Sequence, residues 1–219
     1  MVVSSTGDYQ LNLNDVYPPQ TLYGFQLAPN EKYLCLVNQR DKRTEDIQFG
    51  GNLQKIKTKL LSDLYLLPID GGFPRQLTNS GDIHQPAIWS PDAKRLVVER
   101  NNTLQIITVE GQEIQTIYRG KLYHPPLAQG DSILGSPSWS PDGHHILFAV
   151  REDPKTKLLL VSADGRLVHE LFSIEGYIIG WDWSPDGQKV LMVTRYENGW
   201  LGDIRILDIQ SDDTKILHK

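Results

Sequence analysis

The sequence lacks most of the features that announce a chemistry. A single cysteine, Cys35, excludes an internal disulfide, and its place in the apolar run Leu34-Cys35-Leu36-Val37 marks it as a buried free thiol. A reactive thiolate needs exposure and a nearby base or cation, and the sequence supplies neither. No apolar run approaches the roughly 18 residues of a membrane span. The 22 basic and 27 acidic side chains leave a net charge of −5, which gives no electrostatic footprint for nucleic acid. No segment combines helical period with helix caps. The N-terminus, Met1 to Asp8, has no basic flank followed by an apolar core, so no signal peptide is read and the expected location is cytoplasmic. A chain that had lost its leader would look the same.

Catalytic and metal-binding patterns are missing as well. A serine hydrolase places its nucleophile on a strained elbow, usually Gly-x-Ser-x-Gly. Ser132, in Gly130-Asp131-Ser132-Ile133-Leu134-Gly135, comes nearest, but the second glycine falls one place late. His144 and His145 are adjacent at the start of a strand, so they point to opposite faces and chelate one metal poorly. His84, His124, His169 and His218 are scattered over different parts of the chain. There is no phosphate cradle of the Gly-x-x-x-x-Gly-Lys-Ser/Thr type. The residues therefore predict no catalytic site, no cofactor and no metal: a non-catalytic scaffold.

What the chain does have is one turn written four times. Leu27-Ala28-Pro29-Asn30, Trp89-Ser90-Pro91-Asp92, Trp139-Ser140-Pro141-Asp142-Gly143 and Trp183-Ser184-Pro185-Asp186-Gly187 are versions of one motif. The prolines are 91 − 29 = 62, 141 − 91 = 50 and 185 − 141 = 44 residues apart. Proline presets φ for a tight turn, Asp or Asn bonds its own downstream backbone, and glycine tolerates positive φ. The bulky residue before each turn ends a strand and fills a core layer. Nearly continuous apolar runs follow, such as Ile146 to Val150, and read as strands covered on both faces. A second run then leads to an acidic or glycine turn: Asp70-Gly71-Gly72, Glu110-Gly111, Asp164-Gly165 and Ser211-Asp212-Asp213. A last short strand closes each unit. Four antiparallel strands in roughly 40–50 residues describe a β-propeller blade.

The predicted fold is thus all-β, with a polar arm over 1–20 and a propeller domain over 21–219, in blades near 21–80, 81–120, 135–175 and 178–219. A closed four-blade ring and part of a larger propeller are both open. Two segments interrupt the pattern. Asn38 to Ser62 is a charged insertion read as a solvated hairpin extension, and Lys121 to Ser136 is a long connection. Trp181, Arg195, Tyr196, Glu197 and Trp200 form a candidate recognition patch, because aromatics and Arg are enriched at interface anchors. The arm could add a strand that closes a ring.

From about Thr21 onward the units resemble the Trp-Ser-Pro-Asp-Gly repeats of TolB-type propellers. They are equally similar to the N-terminal propellers of prolyl oligopeptidase-family serine peptidases. The stretch Ser62 to Thr78, ending Gly71-Gly72-Phe73-Pro74-Arg75-Gln76-Leu77-Thr78, resembles the first blade of acylaminoacyl-peptidase-like members. The first unit departs most, with Ala28 and Glu31 for Ser and Gly, and the second has Ala93 for Gly. The resemblance implies more than four blades. It also implies a substrate-gating domain whose partner is an α/β-hydrolase domain, or else a stand-alone module for a protein or peptide partner. TolB-type relatives are periplasmic.

Overall fold

A computed structural model of the chain describes residues 2–3, 10–11, 22–47, 55–83, 85–110, 113–124, 136–196 and 201–218. Every regular element among them is a β-strand. A short ribbon pairs β1 (Val2–Val3) with β2 (Gln10–Leu11). The arm's described strands therefore pair with each other rather than with a blade, a local closure that costs less chain entropy than a distant one. The first sheet runs β3 (Leu22–Leu27), β4 (Tyr33–Ile47), β5 (Lys55–Pro68) and β6 (Arg75–Gln76). The second holds β7 (Ile88–Trp89), β8 (Arg95–Arg100), β9 (Thr103–Thr108) and β10 (Glu113–Arg119). The third holds β11 (Ser138–Trp139), β12 (His145–Glu152), β13 (Lys155–Ser162) and β14 (Val168–Glu175). The fourth holds β15 (Tyr177–Trp183), β16 (Lys189–Arg195), β17 (Leu201–Asp208) and β18 (Thr214–His218). Each repeat unit becomes one sheet with its strands side by side in chain order. The charged insertion continues the β4–β5 ladder as far as Ile47 opposite Lys55, so it is a hairpin extension.

The turn repeat has a single hydrogen-bond plan. In the third sheet Ser140 Oγ donates to Asp142 Oδ1 (2.5 Å) and accepts from the His145 N–H (2.9 Å). Asp142 Oδ1 accepts from the His144 N–H (2.9 Å), and Gly143 stands at φ 71°. The fourth repeats this with Ser184, Asp186, Gln188, Lys189 and Gly187 at φ 70°. Ser162-Ala163-Asp164-Gly165, a turn later in the third sheet, uses the same plan. In the first sheet Ala28 supplies no hydroxyl, yet the backbone bonds Ala28 N–H to Tyr33 O and Glu31 N–H to Ala28 O (both 2.8 Å) keep the turn. There Asn30 accepts from the Lys32 N–H at 3.0 Å. Glu31 and Ala93 take the left-handed conformation, φ 57° and 56°, at the place where later units have glycine.

The ending Arg75-x-Leu77-Thr78 also has a physical reason. Thr78 Oγ1 accepts from the Leu64 N–H (3.0 Å) and donates to the carboxylate of Asp63 (2.9 Å). Asp63, fully buried, also accepts from the Gly81 N–H at 3.0 Å. Arg75 donates to the Val109 carbonyl. The outer edge of the first sheet is thereby tied to β5 where β6 is too short to hold it.

The chain divides into two compact units. One comprises Met1–Trp89, Ala93–Asn101 and Ile107–Glu113; the other comprises Ser90–Asp92, Asn102–Ile106 and Ile114–Lys219. The first has a core of Val37, Leu64, Leu66, Ile83, Trp89, Leu96, Val98 and their neighbours. The second is built on Leu147, Leu158, Ile178, Val190, Met192 and Leu207. Trp89 and Trp139 fill core layers as their repeat position requires, whereas Trp183 is only half-buried. The strand after Trp183 also departs from the reading of a strand covered on both faces. Along β16 buried Val190 and Met192 alternate with Leu191, which is 43% exposed, because no described segment covers that second face.

A tyrosine–arginine pocket as candidate functional site

The Ser-Pro-Asp turns hold their polar atoms for themselves. Ser90, Ser140 and Ser184 each donate to the carboxylate two residues on. Partial burial works to raise the Asp142 carboxyl, but hydrogen bonds from Ser140 and the His144 N–H, with both histidines close by, hold it below its ordinary value. Asp164 and Asp186 are held low first by Ser162 and Ser184, then by the N–H groups of Arg166 and Gln188. These aspartates are turn anchors. Cys35 is buried, and loss of solvation pushes its thiol up to about 12. No group of three or more His, Cys, Asp or Glu among the described residues is placed to hold a metal. His84 and Ser132 lie outside the described residues.

Polar groups with a different arrangement gather at the far end of β12 from its turn. Arg151 and Arg195 occupy the same repeat position, ten residues after Pro141 and Pro185 (151 − 141 = 195 − 185 = 10). Both reach the ring of Tyr177, the first residue of β15. The guanidinium carbons of Arg151 and Arg195 lie 4.2 Å and 5.2 Å from its centroid. The Tyr123 ring stacks on the same tyrosine at 6.2 Å and 26°. Such cation–π contacts contribute about 0.5–2 kcal/mol each, and here they fix the rings.

The backbone explains why these side chains meet. Leu122 bridges Val150, and the Tyr123 N–H donates to the Ala149 carbonyl (2.8 Å). The connection between the second and third sheets thus lies along β12 where two-residue β11 cannot reach. Gly176, at φ 132°, permits the approach of β15, since a Cβ there would stand 2.5 Å from the Arg195 carbonyl oxygen. The Gly176 carbonyl accepts from Arg151 Nη1 (2.7 Å) and Thr156 Oγ1 (2.6 Å).

The result is an open pocket of about 440 Å³ lined by Lys121, Leu122, Tyr123, His124, Arg151 and Asp153, within the range of small-ligand sites. Tyr123 is 9% exposed, and its hydroxyl is buried without a hydrogen-bond partner among the described residues. Burial raises the Tyr123 phenol above its ordinary value and outweighs the opposing pull of Arg151 and Arg195. It therefore stays an O–H donor at neutral pH. Arg151 Nε is 2.5 Å from Asp153 Oδ1, and that carboxylate is 82% exposed.

Of the patch expected around Trp181, the three described residues each turn to a separate partner. Arg195 turns to Tyr177, Tyr196 donates to Asp203 (3.0 Å), and Trp181 Nε1 donates to Ser138 Oγ (3.2 Å). Glu197 and Trp200 lie outside the described residues. Sequence reasoning missed Tyr123, Arg151 and Tyr177. The equal spacing of Arg151 and Arg195 from their prolines was the available signal.

Four blade-like sheets built on this turn make the chain a TolB-like β-propeller chain, all-β and equally comparable to peptidase propellers. It is 29% identical over 117 residues to the Tol-Pal system protein TolB of Xylella fastidiosa, covering 52% of this chain and 25% of that protein. It is 26% identical over 173 residues to a TolB homologue of Chlorobium luteolum, covering 76% and 36%. The chain spans between a quarter and about a half of the curated relatives it matches. No protein-family model matches it. Among solved structures, TolB of Acinetobacter baumannii superposes with a TM-score of 0.56 at 18% identity, over 91% of this chain and 44% of that one. Oligogalacturonate lyase of Vibrio parahaemolyticus gives 0.65 at 13% identity, over 93% and 55%. Dipeptidyl peptidase 4 of Porphyromonas gingivalis gives 0.60 at 15%, over 91% and 33%. These likenesses show the fold.

Proposed function

We propose that the chain is a non-catalytic recognition module of the TolB-like kind, which binds a protein or peptide segment at its strand-end loops. The observation that carries this reading is the division of labour within a sheet. The serines and aspartates of the repeat are consumed inside their turns, while the opposite end of β12 presents a pocket of ordered aromatic and basic side chains. The TolB relatives support it and favour a periplasmic over a cytoplasmic setting. The test pairs binding with turnover. Selection from a displayed peptide library should give ligands of micromolar affinity, while fluorogenic peptides and oligogalacturonate stay uncleaved. Cleavage that persists through repurification refutes the reading.

A second reading is favoured by one stretch. Ser62 to Thr78 resembles the first blade of acylaminoacyl-peptidase-like enzymes, and the sheets share the fold of a peptidase propeller. In that setting the module gates substrate for a serine hydrolase domain. A Gly-x-Ser-x-Gly elbow encoded in the same reading frame downstream would decide for it.

A further inference from the structure

We propose that the Tyr123–Arg151 pocket is a carboxylate-binding site that takes a carboxylate of the peptide partner. This rests on the recognition reading above. The Tyr123 hydroxyl is a donor that burial removes from solvent and that no acceptor among the described residues meets. A buried donor without a partner is unfavourable, and an anionic oxygen is its strongest complement. Lys121 and Arg151 set two cations against the one carboxylate of Asp153 on the pocket wall. Asp153 shows which group the Arg151 edge accepts, and because its carboxylate is 82% exposed it can yield to a competing one. The guanidinium is already oriented by Thr156, the Gly176 carbonyl and the Tyr177 ring, so binding orders little. In the bound state the ligand carboxylate replaces Asp153 at Arg151 and, after a small shift of the Tyr123 ring brings its hydroxyl to the pocket, accepts a hydrogen bond from that hydroxyl, without proton transfer.

Fluorescence polarisation on the full chain tests this with three labelled probes: penta-alanine with a free C-terminus, its C-terminal amide, and that amide with a central glutamate. The proposal expects saturable binding of at least one carboxylate probe, and the amide weaker by tenfold or more. The free terminus and the glutamate distinguish a terminal from a side-chain carboxylate. Tyr123→Phe, which removes an unpartnered hydroxyl and so should not unfold the protein, should weaken binding about tenfold. Asp153→Asn should tighten it several-fold by removing the competitor, a sign that a merely structural role does not produce. Three outcomes overturn the assignment: equal binding of the amide, no effect of Tyr123→Phe, or Asp153→Asn that weakens or leaves binding unchanged. If library-selected peptides still bind while these probes fail, the recognition reading survives and this pocket does not. A trigalacturonate probe binding more tightly than every peptide overturns the peptide assignment.

Discussion

Ser140→Ala tests whether the repeat turn is held by its side chains or only by its backbone. The Ser140 side chain is buried and makes two bonds, one to a carboxylate and one from a half-buried N–H. A bond to a charged group contributes about 1.5–3 kcal/mol and a neutral one about 0.5–1.5. Asp142 is exposed, so solvent screening takes the charged bond to the low end of its range. The expected loss is about 2 kcal/mol, which for a domain of this size lowers Tm by roughly 4–8 °C. The turn itself should survive, since Ala28 sustains the same backbone bonds without a hydroxyl. The pH dependence gives an independent check. Asp142 has its carboxyl held below the ordinary value near 3.8. A depressed carboxyl stabilises the fold fully above its unfolded value and loses that contribution as pH falls through the folded one. The cost of Ser140→Ala in urea denaturation should therefore be full near pH 7 and shrink below about pH 4. An unchanged midpoint at neutral pH, or a cost of the same size at both pH values, would refute a side-chain lock.

Four other outcomes follow from the same structure. Glu31→Gly should stabilise by about 0.5–1 kcal/mol, because relief of about 1–2 kcal/mol of left-handed strain exceeds the entropy glycine adds to the unfolded chain; thermal melting checks it. Thr78→Val should cost about 2–4 kcal/mol, leaving the Leu64 N–H and the Asp63 carboxylate short of a buried partner, while Thr78→Ser should restore most of it. The Cys35 thiol, pushed to about 12, should resist a disulfide reagent at mild alkaline pH until the chain is denatured. Phe25 and Leu27 are 78% and 51% exposed, which predicts self-association measurable by light scattering and reduced by Phe25→Lys.

Strand number, turn positions and the hairpin nature of the charged insertion were legible because each depends on neighbours in sequence. Pro91, Pro141 and Pro185 preset their turns, and Asp142 reaches a backbone N–H only two residues away. Trp183 and Leu191 were less legible, since their repeat positions match those of buried residues in other sheets and only a covering neighbour would bury them. The site was harder still. Tyr123 and Tyr177 are 54 residues apart (177 − 123) in sequence and belong to no motif.

The sequence alone determined the repeated corner and hence the sheets, because proline, Asx and glycine act on the few residues around them. The tertiary structure decided which side chains became a site. Backbone pairing of Leu122 with Val150 and the close approach allowed at Gly176 bring Tyr123, Arg151, Tyr177 and Arg195 together. Contacts between separate sheets depend on packing at a distance, which local chain geometry does not encode.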